Sequence, residues 1–229
     1  MKLNGIFILV ALSVLFFSGC SNTTSAYYNS LALALEDRSA KLTVEDVKAS
    51  KADLIQINAG ERDTAVIALA YIDGDKYRWL SGDDVIFTMH HGFITQSEGL
   101  NADIIYTGNL INNPLALNPL TPHNWERIVD IEGIGYGLNV TSSWHVEGNL
   151  SREYIGYSVP LIKVVEKVKF ADYSPFVNLN LDWENTYYFH QKSKTLLATT
   201  QRFSPEGDQY EMVYLSRIVR EMGKQGGAL

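Results

Sequence analysis

A single cysteine stands in the 229 residues. No disulfide can staple the fold, and packing alone has to hold it. Basic residues are few: 19 Lys and Arg face 26 Asp and Glu, a formal charge of −7. That balance argues against a nucleic-acid partner and against electrostatic attachment to anionic lipid. Proline is scarce too, with three of the six gathered between Asn101 and Pro122. No Gly-x-Ser-x-Gly elbow is present, and the only thiol lies at the far N-terminal end.

What is present begins at that end. Lys2 is followed by the apolar run Ile6–Phe17 and then by Ser18, Gly19 and Cys20. A run of about a dozen residues is too short to cross a bilayer core, which takes roughly 20, but it suits a signal-peptide core. Small residues before the cysteine predict cleavage there and lipid attachment to Cys20, with Phe17 where leucine is usual. Diacylation plus N-acylation supplies more than one chain, which stable anchoring requires. Competing readings are an ordinary signal peptide cut elsewhere, or a signal anchor with Cys20 incidental. Ser21, rather than aspartate, follows the cysteine; in the usual sorting of such lipoproteins this predicts the periplasmic face of the outer membrane.

The chain divides into a signal peptide over residues 1–19, a lipidated tether over 20–26, one mostly β domain over 27–222 and a flexible tail over 223–229. The domain opens with two short helices. Tyr27, Leu31, Ala34 and Leu35 share one helical face, and Thr43 caps a second turn with Asp46 three residues on. Both are expected to be lids or plugs. From Asp53 onward β-branched and aromatic runs alternate with turn residues. Strands are expected at Leu54–Ala59, Thr64–Ile72, Lys76–Leu80, Val85–His90 and Phe93–Gln96. Asn101–Pro122 reads as loop. The clearest alternation is Ile128–Val146, with a bend expected near Thr141–Ser143. Further strands follow at Arg152–Val159, Leu161–Phe170, Val177–Trp183, Thr186–His190, Lys194–Phe203 and Gln209–Leu215. Such short connections fit a mainly β antiparallel meander, curled into a large incomplete barrel or doubled into a sandwich.

Candidate sites are few. The run Gly133–Gly137 lacks dinucleotide-loop spacing and reads as close packing, a bend, or an open strip for a sugar face. His90 and His91 are adjacent in a strand and should point to opposite faces; no metal site and no cofactor is expected. Asp83 with Asp84, and Asp182 with Glu184, are the dense acidic spots, and hydrolysis would need two of them to converge. Aromatics are the better lead. Trp79, Trp125, Trp144 and Trp183, with Tyr136, Tyr187 and Tyr188, suit either a core or the stacking of a carbohydrate. Trp125 and Trp183 are expected to be the exposed ones, because polar residues flank them.

Three stretches carry a resemblance. Tyr77–Leu100 has a Trp (Trp79), a turn, a strand, and then Gly92, Ser97 and Gly99 in the order Gly-x-hydrophobic-x-x-Ser-x-Gly. Asn185–Ser204 looks like an aromatic hairpin ending in Gln201, with Pro205 beyond it. The third is the lipoprotein signal with the short helical segment after it. In these the chain resembles the group 4 capsule polysaccharide lipoproteins of Gram-negative bacteria, the GfcB/YjbF family. Departures are His90-His91 ahead of Gly92, and Lys192 and Lys194 in the late hairpin turn.

The resemblance implies an outer-membrane lipoprotein with a meander-like β fold and no established catalytic residue. Its implied role is non-enzymatic, accessory to capsule or exopolysaccharide export or assembly, binding nascent polysaccharide or a secretion partner. Trp79, Trp125, Trp183 and Gln201 are the candidate ligand-binding residues. The alternatives are a polysaccharide-modifying hydrolase, and a lipid carrier using the concave interior of the sheet.

Overall fold

The computed structural model describes residues 42–60, 62–171 and 182–226. Cys20, the expected helix over Tyr27–Asp37 and most of the expected strand over Val177–Trp183 lie outside them. Twelve strands form one antiparallel sheet: β1 (Leu54–Ala59), β2 (Ala65–Asp73), β3 (Lys76–Ser81), β4 (Ile86–His90), β5 (Phe93–Glu98), β6 (Ile104–Thr107), β7 (His123–Ile131), β8 (Gly135–Tyr154), β9 (Tyr157–Phe170), β10 (Asp182–His190), β11 (Leu196–Gln201) and β12 (Tyr210–Val213). Among the described residues three α-helices accompany them, α1 (Val44–Ala49), α2 (Pro114–Leu117) and α3 (Leu215–Gly226), with a 3-10 turn at Leu110–Asn112.

Except for β5 and β6, strands consecutive in sequence pair with each other, and β1 also pairs with β12, with Gln56 opposite Val213. The meander thus rolls into a nearly closed barrel whose two free edges, β5 and β6, are consecutive in the chain. Side chains bridge this seam where backbone does not. Thr107 Oγ1 donates to the Thr95 carbonyl at 2.9 Å, Gln96 Nε2 to the Ile105 carbonyl at 2.9 Å, and the Ile104 amide to Ser97 Oγ at 2.9 Å. Asp103 locks the turn between the edges by accepting from Ser97 Oγ, the Gly99 amide and the Leu100 amide. Sealing an edge this way withholds it from other chains.

Strand alternation sends one parity inward. Ile55, Ile57, Ile67, Trp79, Phe87, Met89, Phe93, Trp125, Trp144, Tyr187, Phe189, Met212 and Tyr214 fill the interior as one buried cluster. Helices cover part of the outside. Val47 of α1 and Leu215 and Val219 of α3 pack on Leu54 and Ala68, while Ile218 packs on Leu161, Tyr188 and Ala198. The long β8–β9 hairpin lies over the same outer surface, because its tip residue Ile155 joins Val66 and Val213.

Several expectations need correction. The turn in the Ile128–Val146 alternation falls at residues 132–134, and β8 runs unbroken through Thr141–Ser143. Gly133 sits in that turn and Gly137 at the register shift early in β8, each with nothing within 4 Å of the place a Cβ would take, so both mark the bend rather than close packing. Thr43 does form the capping box with Asp46, but α1 lies on the outside of the barrel and plugs nothing. The plug is α2, inside the region read as loop, with Leu115 in the core cluster. The final helix continues to Gly226, into the segment expected to be tail. Its register of Leu215, Ile218, Val219 and Met222 carries the helical period.

Candidate functional site

The barrel interior is built around an ion pair. Arg127 of β7 points inward because Trp125, Val129 and Ile131 share its parity. Its Nη1 donates to Glu166 Oε1 of β9 at 2.8 Å and to Ser142 Oγ at 3.1 Å. The guanidinium lies 4.3 Å from the Trp125 ring and 5.0 Å from that of Phe93. Glu166 also accepts from Asn185 Nδ2 at 2.8 Å and from the Tyr187 hydroxyl at 3.2 Å. Burial first, and the Glu166 charge second, push the Tyr187 hydroxyl well above its ordinary value. A charge is tolerated here because every partner is placed. Sequence reading passed over this cluster. Its signal was one glutamate amid Val164, Val165 and Val168, and one arginine at an apolar parity.

The four residues expected to meet a ligand all lie inside. Trp125 is 1 % exposed and Trp183 6 %, so the exposure expected for them is overturned. Their polar neighbours in sequence point outward while the rings point in, as strand alternation requires. Trp125 Nε1 donates to the Asn109 carbonyl and Trp183 Nε1 to the Arg202 carbonyl, both at 3.1 Å. Trp79 stands edge-on to Tyr214, and its buried Nε1 has no partner among the described residues.

Gln201 ties the barrel across its width. Its Nε2 donates to the Gly92 carbonyl at 2.8 Å and to Thr199 Oγ1, and its Oε1 accepts from the Ile94 amide at 3.1 Å. Both amide hydrogens are therefore committed to the protein. Gly92 has a φ of +98°, and a Cβ there would lie 2.3 Å from Leu196 Cδ2. Two of the three stretches that carry the resemblance thus meet through one side-chain amide.

His90 and His91 do not diverge. His91 ends the strand with a φ of +54°, which swings its ring back to 4.6 Å from that of His90. Ligand atoms of Asp75, His90 and His91 come within 4.8 Å of one another. Asn113 decides what His90 can do. Its Oδ1 accepts from the Leu115 amide at 3.0 Å, so Nδ2 is the atom facing His90, 3.1 Å from the carbonyl and 3.0 Å from Nδ1. Nδ1 must accept, the neutral ring carries its proton on Nε2, and neither nitrogen offers a lone pair to a metal. Burial first, then His91, lowers the pKa of His90.

Two large concavities open at the surface of the described residues. A groove of about 660 Å³ crosses the outer face of β7–β10, where Asn124, Glu126, Ser143, Lys167, Lys169, Asp182 and Glu184 all have outward parity. Asp182 and Glu184 do share it. Glu184 lies 3.9 Å from Lys167, with both side chains about 60 % exposed (59 % and 60 %). Lys169 lines the same groove, so the carboxylates stand among ammonium groups and open to solvent. A second cavity, about 870 Å³, lies at the barrel end opposite α2, reaching from Ile57, Phe87 and Tyr210 past Arg62, Asp63 and Asp83. Burial and Asp208 push the Tyr210 hydroxyl up to about 12. The middle of the barrel, between this cavity and α2, is packed with side chains.

Exposed apolar side chains concentrate in one place. Of nine large ones among the described residues, Ile105, Tyr106, Ile111, Leu117 and Ile128 fall on β6, β7 and the connection between them. Ile111 is 82 % exposed. The Tyr106 ring lies over Gly108, whose amide bonds the Ile128 carbonyl, so Tyr106 and Ile128 are neighbours.

Comparison with known proteins agrees with this architecture. The crystal structure of the hypothetical lipoprotein YmcC from Escherichia coli K12 superposes with a TM-score of 0.71 at 17 % identity, covering 85 % of this chain and 96 % of that one. The uncharacterized lipoprotein GfcB of E. coli K12 is 23 % identical over 110 residues, 47 % of this chain. That match spans about half the relative's length, 51 %. The model of the group 4 capsule polysaccharide lipoprotein family, GfcB/YjbF, matches residues 14–215. With most of its length in that match, the chain belongs to the group 4 capsule polysaccharide lipoprotein family.

Proposed function

We propose that this chain is a non-enzymatic accessory of capsule or exopolysaccharide export or assembly. In this reading, lipidated Cys20 holds it on the periplasmic face of the outer membrane, and it docks a protein of the secretion machinery. The carrying observation is the group of exposed apolar side chains Ile105, Tyr106 and Ile128 on β6 and β7. Exposed apolar side chains gathered on one surface are the features that protein partners use. The packed interior argues against a lipid carrier, and the solvated Asp182 and Glu184 argue against a hydrolase.

A second reading has its own observation. The β7–β10 groove sets hydroxyl, amide, carboxylate and ammonium groups side by side on neighbouring strands, a lining able to hydrogen-bond a polysaccharide directly. In cells lacking the native gene, Ile105→Ser/Ile128→Ser should abolish surface polymer while protein level and membrane location stay normal. Full polymer from that variant refutes the partner reading. Lys167→Gln/Lys169→Gln tests the groove in the same assay, and loss of polymer in this variant alone favours direct contact.

A further inference from the structure

The 108–122 connection closes the barrel end next to the β4–β5 turn, where Leu110, Leu115 and Leu120 pack on the core and one buried side chain makes the polar contact with β4. Asn113 is fully buried. It caps α2 with Oδ1, and Nδ2 gives its two hydrogens to the carbonyl and Nδ1 of His90. Adding a proton to Nδ1 sets N–H against N–H at 3.0 Å. The amide cannot rotate to rescue the contact. Oδ1 would then face the His90 carbonyl, and Nδ2 would face the Leu115 N–H.

We propose that Asn113 and His90 form an acid-sensitive latch, in which protonation of His90 releases residues 110–121 from the end of the barrel. The groups facing His90 are Asp75 and Lys76 on the β2–β3 turn and β3, and His91 on its own turn. The connection brings no ionisable residue of its own between Gly108 and Pro122. Lys76, His91 and burial all oppose the proton, and Asp75 alone favours it. A group whose folded pKa is lowered stabilises the fold above the ordinary value of 6.5. That contribution is lost as pH falls through the lowered value. Release stops at Asn109, whose side chain donates to the Glu126 carbonyl at 2.6 Å and whose carbonyl accepts from Trp125. The latch stands apart from the partner reading, although Ile111 and Leu117 ride on the same connection.

The test is hydrogen–deuterium exchange on the full lipoprotein in detergent micelles with EDTA, at pH 7.5 and 5.5, corrected for intrinsic rates. Amides of 110–121 should exchange at least about tenfold faster at pH 5.5. His90→Gln keeps an acceptor for Asn113 but cannot titrate, and should remove the difference. His91→Gln should keep it. Asn113→Asp still caps α2 and accepts from a protonated ring, so protection should become greater at pH 5.5. Equal exchange of the native protein at the two pH values overturns the proposal. A His90→Gln variant that keeps the pH response overturns it as well.

Discussion

Replacing Arg127 by Met isolates the energetics of the barrel centre. The substitution keeps an unbranched chain against Trp125 and Phe93 but leaves Glu166, which is fully buried, without its counterion. Asn185 and Tyr187 still donate to the carboxylate, yet neither cancels its charge. Breaking one side of such a pair costs about 3–5 kcal/mol. Loss of the two ring contacts adds roughly 1 kcal/mol. Adding Glu166→Gln removes the stranded charge and keeps an acceptor for both donors, so the double variant should regain at least about 2 kcal/mol over Arg127→Met alone. Urea unfolding followed by tryptophan fluorescence reads both, with an unchanged slope showing that the unfolded state is the same. Single and double variants of equal stability, within about 0.5 kcal/mol, would refute the reasoning.

Other outcomes follow from local geometry. Gly92→Ala drives a methyl to 2.3 Å from Leu196 and should cost at least about 2 kcal/mol by overpacking and backbone strain. Gly74→Ala, at a φ of +55° with open space around it, should cost only about 1 kcal/mol in the same urea assay. Gln201→Ala strands the Ile94 amide and the Gly92 carbonyl, and faster exchange of the Ile94 amide is its readout. Arg220, through hydrogen bonds to both carboxylate oxygens of Asp53, holds that carboxyl below 3.8. Its contribution is present above 3.8 and lost as pH falls through the lowered value. Asp53→Asn should therefore flatten stability in acid while costing about 1 kcal/mol or less at neutral pH, since the pair is solvated.

Strands with clean turn punctuation were legible from sequence. Asp73 and Gly74 announced the β2–β3 hairpin, and Thr43 with Asp46 announced the cap of α1. What escaped has a common physical origin. β6 is four residues long amid asparagines and prolines, and pairs only because β7 lies beside it. The apolar positions of α3 follow the period of a helix, but the segment sits where a strand had just ended. The polar neighbours of Trp125 and Trp183 suggested exposure, although adjacent residues in a strand look in opposite directions. The fold of His90 back onto His91 depends on one left-handed residue, which no periodicity reveals.

The pairing of β1 with β12 also sets an order of events. Neighbouring hairpins can zip as they emerge, yet the first strand waits for residues 210–213 before its outer edge is satisfied. A chain synthesised N-terminus first carries that unpaired edge until almost its whole length is available. Truncation just before β12 would leave two open rims at opposite ends of the sheet, and the product should assemble with itself instead of closing.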